Sequence, residues 1–228
     1  MKMFDSYTSQ DIISKIDHTN LKQTAVWEDI KKLCDEGIVY GVASVCIPPC
    51  FVRKVSDYSK GRLKICTVIG FPNGYSTSAV KCYETSEVIK NGADEIDMVI
   101  NIGMLKDGNY DELLAEINIV KNSCEGRILK VIIETCLLTD DEKIKISEIV
   151  SKSNADYIKT STGFSKHGVT KEDIDLLKKH CIGKKVKAAG GIKSIDDAVQ
   201  FLDCGADRLG SSSLLDMLIA ECEAKNDR

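Results

Sequence analysis

At 228 residues, 43% hydrophobic and 29% charged, the chain has the make-up of an ordinary globular protein and can bury a substantial core. Its formal charge of −4, with no basic stripe interleaved with aromatics, argues against a nucleic-acid partner. No apolar run approaches the roughly 18 residues of a membrane span, so a soluble protein without a membrane partner is expected.

The N-terminus, MKMFDSYTSQ, has neither a long apolar core nor a small-residue cleavage site, which makes the cytoplasm the expected compartment. The ten cysteines are scattered without a tight framework of spacings and are expected as reduced thiols. A first, weak strand is read at 13–18, running into Asp17-His18-Thr19-Asn20. From residue 41 onward, short β-branched runs alternate with helix-like segments, the pattern of a parallel sheet with helical crossovers. The strands are expected at 42–47, 63–69, 95–100, 128–134, 155–159, 185–189 and 208–210.

Between them lie helix starts at Thr139, Thr170 and Ser194, each followed three residues later by Glu142, Asp173 or Asp197, the spacing of a capping box. Gly92 and Gly205 read as helix C-terminal glycines. Eight strand–helix units, with no linker or low-complexity segment, predict one α/β domain over 1–228: a (β/α)8 TIM barrel. An open doubly wound sheet is the alternative. Val131-Ile132-Ile133 reads as a strand buried on both faces.

In such a barrel the chemistry sits at the carboxyl ends of the strands. There the chain places Asp17, Cys46, Thr67, Asp97 with Asn101, Glu134 with Thr135, Lys159, Lys187 and the turn at 210–213. Taken alone, Lys159 in DYIKTSTG fits a snorkelling strand-end lysine as well as a reactive one. A second lysine, Lys187 in VKAAGG, changes that. Two ammonium groups in a partly desolvated pocket disfavour each other's charge, and burial adds to the effect. One amine is then free to attack a carbonyl and form a Schiff base, with Asp97 moving protons or fixing Lys187 by a salt bridge. Separately, Ala189-Gly190-Gly191 and Gly210-Ser211-Ser212-Ser213 follow the last two strands, where barrels often bind phosphate through backbone N–H groups, with Lys193 as a counter-charge.

The motifs IDHTNL, VCIPP, TVIGFPNG, DEIDMVIN, LKVIIET, YIKTSTGF, KAAGGIK and RLGSSS follow one another as in the deoxyribose-phosphate aldolase family, which the chain resembles over nearly its whole length. The resemblance implies a class I lyase, metal-independent and without a cofactor. Its substrate would be a small phosphosugar, 2-deoxy-D-ribose 5-phosphate, cleaved reversibly to D-glyceraldehyde 3-phosphate and acetaldehyde. It implies Lys159 as the Schiff-base lysine, Lys187 as the lysine that tunes it and Asp97 as the proton-transfer residue, with Asp17 supporting Lys187 and Cys46 as a pocket thiol. Gly163, Gly190, Gly191, Gly210, Ser212 and Ser213 match phosphate-loop positions. Two departures stand out. Phe164 occupies a place where some members carry a phosphate-holding lysine, a role left to Lys166 or Lys193. The chain ends Ala224-Lys225-Asn226-Asp227-Arg228, without the terminal tyrosine of many members.

The sequence leaves three other readings open. A phosphate-binding isomerase or synthase barrel would use Lys159 only as a charge. A metal-dependent aldolase needs clustered ligands, whereas His18, His167 and His180 are dispersed; His18 is expected as a hydrogen-bonding scaffold residue and His180 at a helix end. A phosphosugar sensor or redox module would bind without cleaving, and Cys46 and Cys50 do not form a C-x-x-C motif. Pairing of outer helices leaves a homodimer open.

Overall fold

The computed structural model describes residues 3–4 and 6–226. A short antiparallel ribbon of β1 (Met3–Phe4) and β2 (Tyr7–Thr8) leads into helix α1 (Ser9–Ile13). Eight parallel strands follow: β3 (Ile16–Thr19), β4 (Ser44–Ile47), β5 (Ile65–Ile69), β6 (Glu95–Val99), β7 (Ile128–Ile132), β8 (Tyr157–Lys159), β9 (Lys185–Ala189) and β10 (Arg208–Ser211). They form a closed barrel in chain order, sealed where β10 pairs with β3 through Leu209↔Ile16 and Gly210↔Asp17. That pairing removes the open doubly wound sheet, which would leave both edge strands unpaired. The expected strands fall where the sequence places them, except that the first begins at Ile16 because α1 takes up Ser9–Ile13.

The crossovers are α2 (Trp27–Tyr40), α3 (Val52–Ser59), α4 (Ser78–Lys90), α5 (Ile102–Lys106) with α6 (Tyr110–Ser123), α7 (Asp140–Lys152), α8 (Lys171–His180) and α9 (Ile195–Asp203). Helix α10 (Leu214–Asn226) follows the last strand. No helix among the described residues is long and apolar enough to cross a membrane. The capping boxes at Thr139/Glu142, Thr170/Asp173 and Ser194/Asp197 are all formed, each satisfying donors that the first helical turn leaves free.

Every strand alternates between two different interiors, as the two-residue period of a strand requires. Outward residues such as Val45, Ile96, Met98, Leu129, Val131, Ile158, Val186 and Leu209 join the helices in one apolar layer. Each such side chain removed from water contributes about 1.5–3 kcal/mol. The inward face carries the polar and charged residues Asp17, Ser44, Glu95, Asp97, Lys130, Lys159 and Lys187, all buried, together with Cys46, Cys66 and Val68. The branched apolar side chains usual inside such barrels are here largely replaced by an ionic network.

Candidate active site

The strand ends converge on Asp97. Its Oδ2 accepts from Lys159 Nζ and from Lys187 Nζ, each at 2.7 Å, and its Oδ1 accepts from Lys130 Nζ at 2.8 Å. Lys187 also donates to Asp17 Oδ2. The other oxygen of Asp17 takes Ser44 Oγ at 2.7 Å and Arg208 at 2.5 Å. Below this layer Lys130 pairs with Glu95 at 2.6 Å, and Arg208 reaches Glu95 at 3.3 Å while lying 5.8 Å from the Tyr157 ring. Four cations, Lys130, Lys159, Lys187 and Arg208, thus meet three carboxylates, Asp17, Glu95 and Asp97.

These contacts set the charge states. Burial opposes ionisation of Asp97, but the ammonium groups of Lys130, Lys159 and Lys187 outweigh it and hold the carboxyl well below the usual carboxylate range. Asp17 is lowered in the same way, against burial, by Lys187, Lys130 and Arg208. Burial would also drive the proton off Lys187, yet Asp17 and Asp97 reverse that and its pKa is raised. This corrects the expectation of two mutually repelling ammonium groups: a shared carboxylate lies between the lysines, and Lys187 is held charged. Two groupings, Cys46–Cys66–Asp97 and Asp17–Cys66–Glu95, have ligand atoms close enough together for a cation. The Lys130 ammonium already sits among them, 2.6 Å from Glu95, 2.8 Å from Asp97 and 3.2 Å from Cys66.

Above the network opens a cavity of about 510 Å³, and of the clustered charges Lys159 alone lines it. Its walls include Thr162, Gly163, Phe164, Gly190, Gly191, Gly210 and Ser212, so most of the expected phosphate-loop positions share one space with Lys159. Gly190 and Gly191 have φ of +79° and +76°, a backbone that strongly favours glycine. Gly210 has a steric duty as well, since a Cβ there would lie 3.2 Å from Lys187 Cε.

Besides the buried charges beneath it, Cys46, Lys166, Lys193 and Ser213 fall outside the lining. Lys193 is exposed, and its backbone N–H is tied at 2.9 Å to Asp197, the carboxylate of the α9 capping box. The Ser213 N–H is directed at Ser211 Oγ, 3.3 Å away. Cys46 is buried with Cys66 and Val68 under Leu21 and Phe71, so it is a covered thiol and not a wall of the cavity. Lys22 and Lys32 are the cavity's cations besides Lys159, and Asp29, Glu36 and Asp216 also line it; Lys32 pairs with Glu36 on the same helix at 3.6 Å. Phe164 turns its ring edge to Phe71, 5.3 Å between centroids, and separates this cavity from an apolar one of about 360 Å³.

His18 is buried, with Nε2 at 2.9 Å from Glu36, as a scaffold residue would be. His180 ends α8. Asp227 and Arg228, part of the tail noted in the sequence, lie outside the described residues. Lys130, Glu95 and Arg208 were not picked out from the sequence as site residues. The signal was there in the alternation, because Glu95 and Asp97 stand two apart on one strand face and Lys130 is the register partner of Asp97.

Comparison with known proteins identifies the family of the chain. A model described as DeoC/LacD family aldolase matches residues 11–219. The deoxyribose-phosphate aldolase of Clostridioides difficile (strain 630) is 56% identical over 209 residues, covering 91% of this chain and 95% of that relative. The enzyme of the same name from Streptococcus agalactiae serotype Ia is 51% identical over 207 residues, covering 90% and 93%. Among solved structures, deoxyribose phosphate aldolase from Aeropyrum pernix, described as a unique tetramer, superposes with a TM-score of 0.86 at 31% identity, covering 95% of this chain and 93% of that one. An aldolase called QR15 superposes with a TM-score of 0.90 at 34% identity, covering 95% and 98%. With a family model spanning most of its length and relatives more than half identical, the chain belongs to the DeoC/LacD family of aldolases.

Proposed function

We propose that this aldolase cleaves 2-deoxy-D-ribose 5-phosphate reversibly to D-glyceraldehyde 3-phosphate and acetaldehyde through a Schiff base on Lys159. The observation that carries the assignment of the nucleophile is that Lys159 alone of the clustered charges reaches the cavity. Charge balance supports it. Lys130, Lys187 and Arg208 already match Asp17, Glu95 and Asp97 one for one, so the clustered carboxylates are balanced without Lys159. A buried cluster that is neutral as a whole is the less costly state.

The neutral amine attacks the C1 aldehyde of the open sugar, and loss of water leaves an iminium. Asp97, held ionised beneath the cavity and 2.7 Å from Lys159 Nζ, would take up the C3 hydroxyl proton through a bridging water. The C2–C3 bond then breaks, its electron pair moves toward the iminium nitrogen to give an enamine, and glyceraldehyde 3-phosphate leaves. Protonation of the enamine at C2 and hydrolysis release acetaldehyde and restore Lys159. Lys187, held charged, fixes Asp97 and supplies the positive field beside the amine. Gly163, Gly190, Gly191, Gly210 and Ser212 would receive the phosphate, with Lys22 and Lys32 as nearby cations in place of Lys193.

A coupled assay for glyceraldehyde 3-phosphate release from 2-deoxyribose 5-phosphate tests the reading. Turnover is expected; binding of the sugar phosphate without release would mark a sensor instead.

A further inference from the structure

Glu134 stands one residue past the ladder of β7 in an unusual state. Its backbone is left-handed, with φ +54° and ψ +65°, a region that costs free energy for any side chain bulkier than glycine. The residues on either side continue the pairing with β8: the Ile133 N–H donates to Lys159 O at 3.0 Å and the Thr135 N–H to Thr160 O at 2.9 Å. The turn at Glu134 between these two bonds carries its side chain over the end of β8. There the carboxylate is buried, and no cation among the described residues lies within ion-pair distance of it. The Thr162 N–H reaches Oε1 at 3.2 Å and Oε2 at 3.3 Å, and the Thr162 hydroxyl donates to Oε2. Thr162 Oγ1 in turn accepts the Phe164 N–H at 3.0 Å.

A buried carboxylate without a counter-cation is a costly way to close a turn. Burial pushes the Glu134 carboxyl up, against the hydrogen bonds from Thr162 and the field of Lys159. What the arrangement secures is direction. With the Thr162 N–H and O–H both turned to Glu134, the chain at 162–164 is pinned against the cavity that holds Lys159. Among the described residues the Gly163 N–H has no acceptor, so it is free to meet an anion.

We propose that Glu134 is a positioning residue for phosphate: it clamps Thr162 so that Gly163 presents its N–H to the phosphate of the substrate. The inference rests on the aldolase reading above and adds a residue to it. The contacts predict a loss confined to the phosphate end. A structural residue would harm all substrates alike, and an acid–base residue would lower kcat.

The test compares wild type with Glu134→Gln and Glu134→Gly, using 2-deoxyribose 5-phosphate and unphosphorylated 2-deoxyribose. The glycine variant relieves the left-handed backbone while removing the carboxylate, which separates strain from clamping. Both variants should raise KM for the phosphate ester by about tenfold, the equivalent of one charge-assisted hydrogen bond. The effect on kcat, and on KM for 2-deoxyribose, should be much smaller. Inorganic phosphate should bind both variants more weakly by a similar factor. Borohydride trapping of acetaldehyde at Lys159 to the wild-type extent checks that the variants are folded. Equal losses on both sugars, or an unchanged phosphate KM in either variant, would overturn the inference. Failure of the wild type to release glyceraldehyde 3-phosphate would instead contradict the aldolase reading, and phosphate binding by wild type and variants would still test the clamp.

Discussion

Asp97 receives three ammonium groups on two oxygens, and the consequences of that crowding run through the whole site. Removing one cation changes what the carboxylates demand of the others. In Lys187→Leu, Lys130 and Arg208 are left to balance Asp17, Glu95 and Asp97, so one buried carboxylate beside Lys159 loses its counter-charge. The expected result is a fall in kcat of roughly a hundredfold or more, the scale of a lost acid–base partner. The pH profile should move to higher pH, because the amine must be freed against an extra uncompensated carboxylate. A kcat–pH series on the purified variant checks both, and an unmoved profile would speak against the tuning role of Lys187. Gly210 belongs to the same economy of space: a methyl group there would press on Lys187.

At the level of elements, what was legible in the sequence was whatever repeats with a local period. Strand positions, the three capping boxes and the order of strand-end residues all follow from neighbours within a few positions, and the barrel places them accordingly. The run Ile128-Leu129-Lys130-Val131-Ile132 shows where that reading stops. Its apolar character predicts burial on both faces, which is correct, but whether Lys130 faces the helices or the lumen depends on register with β6 and β8. Only closure of the barrel fixes that register, setting Lys130 beside Asp97. The same limit explains Lys193. It follows a glycine turn and so reads as a phosphate counter-charge, whereas the cavity's cations, Lys22 and Lys32, come from the segment after β3 and from α2. Contacts between β3 and β10, far apart in the chain, leave no local trace. Glu134 was visible as a strand-end polar residue, but its left-handed backbone and its hold on Thr162 were not.

Across the molecule, strands β3, β6, β7, β8, β9 and β10 each contribute at least one charge to a single buried network, so active-site electrostatics and fold stability are linked. The signs are opposite at the two ends of the pH scale. Asp17 and Asp97 are lowered in the fold, so their stabilising contribution is present above the unfolded carboxylate value of about 3.9 and is lost as pH falls below it. Lys130 and Lys187 are raised, so theirs is present below about 10.4 and is lost as pH climbs through the folded values. Thermal unfolding is therefore expected to vary little between about pH 5 and 9 and to fall at either extreme. A steep loss between pH 7 and 5, followed by calorimetry, would contradict that balance.

The mechanism depends on a covalent role for Lys159. Incubation with acetaldehyde, reduction with borohydride and peptide mapping by mass spectrometry should place a single ethyl adduct on Lys159, with Lys130 and Lys187 unmodified and the adduct absent from Lys159→Ala. An unmodified Lys159 under conditions of turnover, or an adduct on Lys187 instead, would contradict it.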